Sequence, residues 1–229
     1  MIDRPNHARA VQLLSAGQKV APTVINVVGA IGPRDAVRAR DVRTALAGGR
    51  GPILLRIESE GGYLDEALEI VAALEKSGRP VAAHVGRLCQ SAATIVLSTA
   101  SHRRADVGAS FLLHRCEVTP AGSARWTAGR HQARARLLRD GDVRMIAALA
   151  RATGAPAEHL EAELATERPL NAFAALRLGL ITEIVNVTRP PSREWLARVR
   201  AALSSGQPIN YSAPSYLFSP AYLSACGAA

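Results

Sequence analysis

The chain is short of lysine, cysteine and aromatic residues. Lys19 and Lys76 are its only lysines, so arginine carries almost all the positive charge of a chain with a formal net charge of +9. Such a skew reflects a GC-rich genome more readily than a function, and nucleic acid is not the expected partner despite the basic balance. The cysteines are Cys89, Cys116 and Cys226. An odd, scattered set without a Cys-x-x-Cys pair excludes a disulfide framework and a zinc site of the usual spacing. Apolar runs such as 88–101 fall short of the ~18–20 residues of a membrane span, so no membrane partner is expected. Residues 1–20 carry Asp3, Arg4, Arg9 and Lys19 and no apolar h-region. This predicts no signal peptide and a cytoplasmic protein. There is no glycine-rich phosphate loop and no cluster of metal-ligand residues, so no cofactor, no metal and no intrinsic ATP hydrolysis are expected. No repeat of solenoid period is present.

What is present is an ordinary globular composition, 48% hydrophobic over 229 residues. A chain of that length buries roughly 70–75% of its unfolded surface without staples. Strand-like and helix-like patterns alternate. The spacing predicts strands at Thr23–Val28, Ile53–Ile57, Pro80–Val85, Arg104–Asp106, Ser110–Leu113 and Leu180–Val187. Helices are predicted at Ala36–Ala47, Leu64–Lys76, Ser91–Ala100, Ala124–Thr153 (with a break at Gly141), Ala157–Leu164 and Asn171–Leu178. Gly61-Gly62 is read as ending the second strand, and a short polar link follows Gly86. The order points to parallel βαβ units in an α/β domain.

Residues 1–20 read as an N-terminal segment, 21–189 as the α/β domain, and 190–229 as a helix and tail. Pro190-Pro191 marks the change. Ser192–Leu203 reads as an amphipathic helix with Ser192 as its N-cap. The tail beyond holds Tyr211, Tyr216, Phe218 and Tyr222, four of the nine aromatic residues. Two readings stay open for it, a docked terminus and an arm for another subunit.

Three segments carry chemistry. The first is Ile57-Glu58-Ser59-Glu60-Gly61-Gly62, where a strand ends in two glycines. Such a turn can leave outward backbone N–H groups able to stabilise an oxyanion, or it can be simply a turn. The second is Val85-Gly86-Arg87-Leu88-Cys89-Gln90-Ser91-Ala92-Ala93. A serine at the start of an apolar helix stands where a nucleophile would, beside free N–H groups, and Ala92 and Ala93 leave room for a carbonyl. It also stands where an N-cap would. The third is Leu112-Leu113-His114, an apolar run ending in a histidine that can serve as a general base or rest as an ordinary polar residue. His7, His84, His102, His131 and His159 lack comparable surroundings.

The order of these segments resembles the proteolytic subunit of the Clp protease family, within the ClpP/crotonase superfamily. The stretches that carry the resemblance are RIESEGGYLDEALEI, VGRLCQSAATIVLSTASHRRADVGASFLLHR and NAFAALRLGLITEIV. It covers about seventy per cent of the chain, from Val24 to Val185. The resemblance implies a ClpP/crotonase-like α/β fold of stacked βαβ units with a protruding handle helix. It implies a serine endopeptidase acting on unfolded polypeptide in a homo-oligomeric chamber, with an ATP-dependent unfoldase as a further partner. It implies Ser91 as nucleophile, His114 as general base, and the N–H groups of Gly62 (or Gly61) and Ala92 as the oxyanion hole. Within the resemblance, 21–189 is the protease domain.

The chain departs from the family pattern in several places. Glu60 stands where the family has Pro. The link from Gly86 to Ser91 is one residue longer and looks like the Cys-x-Ser-Ala form of divergent relatives. Counting back from Gly179 without gaps puts Glu167 at the family's catalytic acid. Aligning Thr166-Glu167-Arg168 with the similar family tripeptide puts Pro169 there instead. Glu167 is the expected acid, able to orient a histidine much as Asp does. The segment 124–144 occupies the handle-helix position and carries Arg125, Arg130, Arg134, Arg136, Arg139 and Arg144. It reads as a solvated or inter-subunit face, or as an anion-binding stripe, with Leu137, Leu138, Ile146 and Leu149 as its buried side. Competing readings are a crotonase-like acyl-CoA enzyme, a Ser-Lys dyad hydrolase, and a non-catalytic relative that binds through the Arg-rich helix and the tail.

Overall fold

In a computed structural model, the structure describes residues 21–33, 36–118 and 127–185. The tail, the helix expected at 192–203, the N-terminal segment and Arg125 lie outside the described residues.

The elements run β1 (Thr23–Ile31), α1 (Ala39–Ala47), β2 (Ile53–Gly62), α2 (Leu64–Lys76), β3 (Val81–Gln90), α3 (Ala92–Leu97), β4 (His102–Asp106), β5 (Ser110–Leu112), α4 (Ala128–Thr153), α5 (Ala157–Thr166), β6 (Pro169–Asn171), α6 (Ala172–Arg177) and β7 (Glu183–Val185). The alternation of strand and helix read from the sequence is therefore the fold. It is α/β, with β1-β2-β3-β4-β7 in parallel order.

Each strand is built on alternation. In β1, Ile25, Val27 and Ile31 are buried while Val24 and Val28 face out, 40% and 59% exposed. In β2, Ile53, Leu55 and Ile57 are inside and Arg56 is outside. Ala67, Ile70, Val71 and Leu74 of α2, all of α3, and Met145, Ile146 and Leu149 of α4 close over the inner face as one core. Side chains with a period of two on the strands and 3.6 on the helices thus share one apolar layer. No helix among the described residues is long and apolar enough to cross a membrane.

Two strands are longer than their sequences suggest. β2 does end in the Gly61-Gly62 pair, but it runs five residues past Ile57, the ladder with β1 continuing through Ala30↔Gly61 and Ile31↔Gly62. The link after Gly86 is not a link. β3 runs on to Gln90, pairing β4 at 82–85 and then β5 through Leu88↔Ser110, Cys89↔Phe111 and Gln90↔Leu112. A partner some twenty residues away supplies the hydrogen bonds that local polarity hides. β6, absent from the sequence reading, pairs antiparallel with β5.

α4 is unbroken at Gly141. A Cβ there would lie 2.8 Å from Cys116 Sγ and 3.1 Å from Leu64 Cδ2, so close packing offsets the glycine's poor helix propensity. Leu137, expected on the buried side, is 62% exposed, whereas Ile146 and Leu149 are buried. The first half of α4 is mostly exposed, Leu137 included, while Leu138 is half-buried. At the other end of the helix, the Arg103 guanidinium is buried among the carbonyls of Ala100, Ala152, Gly179 and Leu180. Desolvation lowers its pKa to about 10, which leaves it charged at neutral pH. One of the many arginines is thus a tie between β4, α4 and the turn before β7.

Candidate active site

β2 and β3 project past β4, and their ends meet at Gly61 and Ser91. Ser91 joins β3 to α3 with φ 52° and ψ −130°. A residue with a Cβ rarely holds a positive φ, and does so only where its surroundings enforce it. Here the Ser91 N–H donates to Leu112 O at 2.8 Å, and its carbonyl accepts from the Thr94 N–H at 2.9 Å and from Thr94 Oγ1 at 2.7 Å. The side chain makes no cap hydrogen bond to α3. The N-cap alternative is thereby excluded. Its Oγ instead lies 2.7 Å from His114 Nε2. His114 comes two residues after Leu112, so the same β3–β5 ladder that seats Ser91 also carries the imidazole to it.

Gly61 and Gly62 stand beside this pair. Gly61 has φ 92°, and a Cβ on it would meet Gln90 O at 2.6 Å, Ser91 Cβ at 2.7 Å and Ala92 N at 2.9 Å. Only glycine allows β2 this close to the serine. Gly62 has φ 143°, and a Cβ there would collide with the carbonyl oxygen of Ile31. The Gly61 N–H donates to the fully buried Ser59 Oγ at 3.1 Å. That bond engages the Gly61 N–H with a side chain of its own strand. Ser59 was overlooked in the sequence, although it lies within the quoted segment.

A cleft of about 570 Å³ opens over these groups. Gly61, Gly62, Ser91, Ala92 and His114 line it together with Tyr63, Leu64 and Met145. Glu60, Arg115 and Glu117 line it too, so the cleft mixes apolar and charged groups around a single Ser–His pair.

Glu167 is less well placed. It caps α5 in the left-handed region at φ 47° and is exposed. The β5–β6 register runs Ser110↔Asn171, Phe111↔Leu170, Leu112↔Pro169. Carried two residues further, it brings Glu167 level with His114, while Pro169 sits opposite Leu112. Neither β5 nor β6 extends to His114 or Glu167, since the ladder ends at Leu112↔Pro169. Among the described residues no hydrogen bond joins its carboxylate to His114. Lys76 lines a separate cavity with Arg79, away from Ser91, so no Ser-Lys dyad forms with it.

The sequence model of the Clp protease family matches residues 45–188. The chain belongs to the Clp protease family. At that level it is a ClpP-like protease with the ClpP/crotonase-like fold. Among curated proteins none matches the chain. Among solved structures, a point mutant of ClpP1 from Listeria monocytogenes is similar at 20% identity. The match covers 75% of this chain and 93% of that one, with a TM-score of 0.59. That likeness is one of fold. The family match spans β2 to β7, which includes every candidate site residue.

Proposed function

We propose that the protein is a serine endopeptidase of Clp type. The observation that supports this reading is the 2.7 Å contact between His114 Nε2 and the Oγ of a serine held at positive φ. In this mechanism the Ser91 hydroxyl donates to His114 Nε2, which takes its proton as Oγ attacks the scissile carbonyl. The N–H groups of Gly62 and Ala92 receive the developing oxyanion, each such donor contributing roughly 3–4 kcal/mol to the lowered barrier. His114 then protonates the leaving amine, and the acyl-enzyme is hydrolysed by water through the same steps in reverse. Glu167 orients the imidazole and stabilises its charged form. The substrate is an unfolded polypeptide, taken up in a homo-oligomeric chamber and supplied by an ATP-dependent unfoldase. No cofactor is required.

The test is labelling by a fluorophosphonate probe, which reacts only with an activated serine. Wild type is expected to label, and Ser91→Ala and His114→Ala are expected not to. A well-folded wild-type protein that stays unlabelled would overturn the reading.

A further inference from the structure

We propose that Asp142 is a positioning residue for His114, so that the seating of α4 sets the geometry of the base. The proposal rests on the peptidase reading and adds to it a group that touches neither Ser91 nor His114.

Asp142 is a charged residue placed inside, 7% exposed, on the face of α4 that also buries Gly141 and Met145. Burying a carboxylate costs several kcal/mol unless its oxygens are satisfied. Both are. Oδ1 accepts the backbone N–H of Cys116 at 2.7 Å, and Oδ2 lies 3.3 Å from Arg115 Nη1. Arg115 and Cys116 are the two residues after His114. β5 ends at Leu112, so beyond it no strand holds the chain that carries the imidazole. Asp142 supplies the missing acceptor, from a different element 26 residues on.

The same turn of α4 reaches the other wall of the cleft. Gly141 packs against both Cys116 Sγ and Leu64 Cδ2. Leu64 opens α2 directly after Gly62 and Tyr63, and Met145 lines the cleft itself. One helical turn thus contacts the chain leaving the base and the chain leaving the oxyanion glycines. With both oxygens engaged elsewhere, Asp142 is not the acid partner of His114. Its effect is to keep Nε2 within reach of Ser91 Oγ, where a displacement of about 1 Å lowers rate by about 10²-fold.

The experiment compares full-length Asp142→Asn, Asp142→Leu and Arg115→Ala with wild type. The readouts are the fluorophosphonate acylation rate, peptide kcat and KM, thermal melting, and amide exchange of the segment 113–118. Leu has the same γ-branched skeleton as Asp with methyls in place of the oxygens, so the helix keeps a filled contact while the acceptor is lost. Asp142→Leu is expected to lower acylation and kcat at least roughly tenfold with KM little changed, and to expose 113–118 to exchange. Asn keeps an oxygen for the Cys116 N–H and is expected to restore protection and kcat to within about threefold of wild type. Arg115→Ala is expected to lie in the same range as Asn. Wild-type kcat and protection in a folded Asp142→Leu would overturn the proposal, as would equal losses in Asn and Leu. If Leu does not fold, Asn and the exchange data decide alone, and an Asn variant with 113–118 unprotected overturns it. An unlabelled wild type would instead sink the peptidase reading, and is told apart because exchange does not depend on activity.

Discussion

Ser91 and Glu167 are the two non-glycine residues with positive φ among the described residues, at 52° and 47°. They share a backbone strain and differ in everything around it. Ser91 is half-buried, with its N–H, carbonyl and hydroxyl all engaged, and Gly61 pressed against its Cβ. Glu167 is an exposed helix cap whose neighbour Arg168 pairs with Glu163 rather than with it. Strain of this kind costs roughly 1–3 kcal/mol, and it persists where the surroundings over-determine it. At Ser91 two β-ladders and a histidine do so. At Glu167 the helix end alone does, where glycine is the usual occupant. The contrast sets a tightly specified residue at the β3–α3 junction against a loosely held one at the end of α5.

That contrast can be broken at Ser91 first. Ser91→Ala and His114→Ala are each expected to lower kcat by about 10³-fold or more, and the double variant by little further, because the two act as one unit. Steady-state peptide hydrolysis checks this, and additive losses would separate the pair. Next comes Gly62→Ala, whose new Cβ would meet the Ile31 carbonyl. A loss of about 10²–10³-fold is expected from the misplaced donor, visible as reduced acylation by the fluorophosphonate probe. At the looser residue the effects shrink and divide. Glu167→Gly is expected to raise stability by about 1 kcal/mol, or ~2–4 °C in melting, because it relieves the left-handed strain. It is also expected to lower kcat, by about tenfold or less. A rise in melting temperature with unchanged kcat would remove Glu167 from the mechanism. Smallest of all is the thiol two residues beyond His114. Burial, then Asp142, pushes the Cys116 thiol up to about 11, so it stays protonated at neutral pH. Its alkylation by iodoacetamide at pH 8 is expected to be slower than that of free cysteine. Leu137→Ser, on the exposed part of α4, should change stability by no more than about 0.5 kcal/mol.

Much of this was legible before the structure. The Leu64–Lys76 helix is found at its expected residues, since Leu68, Val71 and Leu74 repeat at helical spacing and Gly78 follows at φ 62°. Ser91 was legible as a serine opening an apolar helix, and His114 as a histidine ending an apolar strand run. The extents of β2 and β3 were not legible, because glycine and arginine in a strand look like a turn until a distant partner supplies the ladder. The β5–β6 pairing was not legible for a similar reason, since β6 is three residues long and its partner lies some sixty positions earlier. In the sequence Asp142 is one charge on a charged helix, and its partners lie 27 and 26 positions away.

Local chemistry in the chain thus determined the element order and the glycine pair and marked Ser91 and His114 as candidates, because hydrophobic period and turn residues act over a few positions. The tertiary structure alone decided that β3 runs on to Gln90, that the Ser91 side chain meets His114 and does not cap α3, and that a carboxylate on α4 holds the chain beside His114. Each of those depends on hydrogen bonds between residues some twenty or more positions apart. Such bonds form only once the apolar faces of the strands and helices have packed and brought their backbones together.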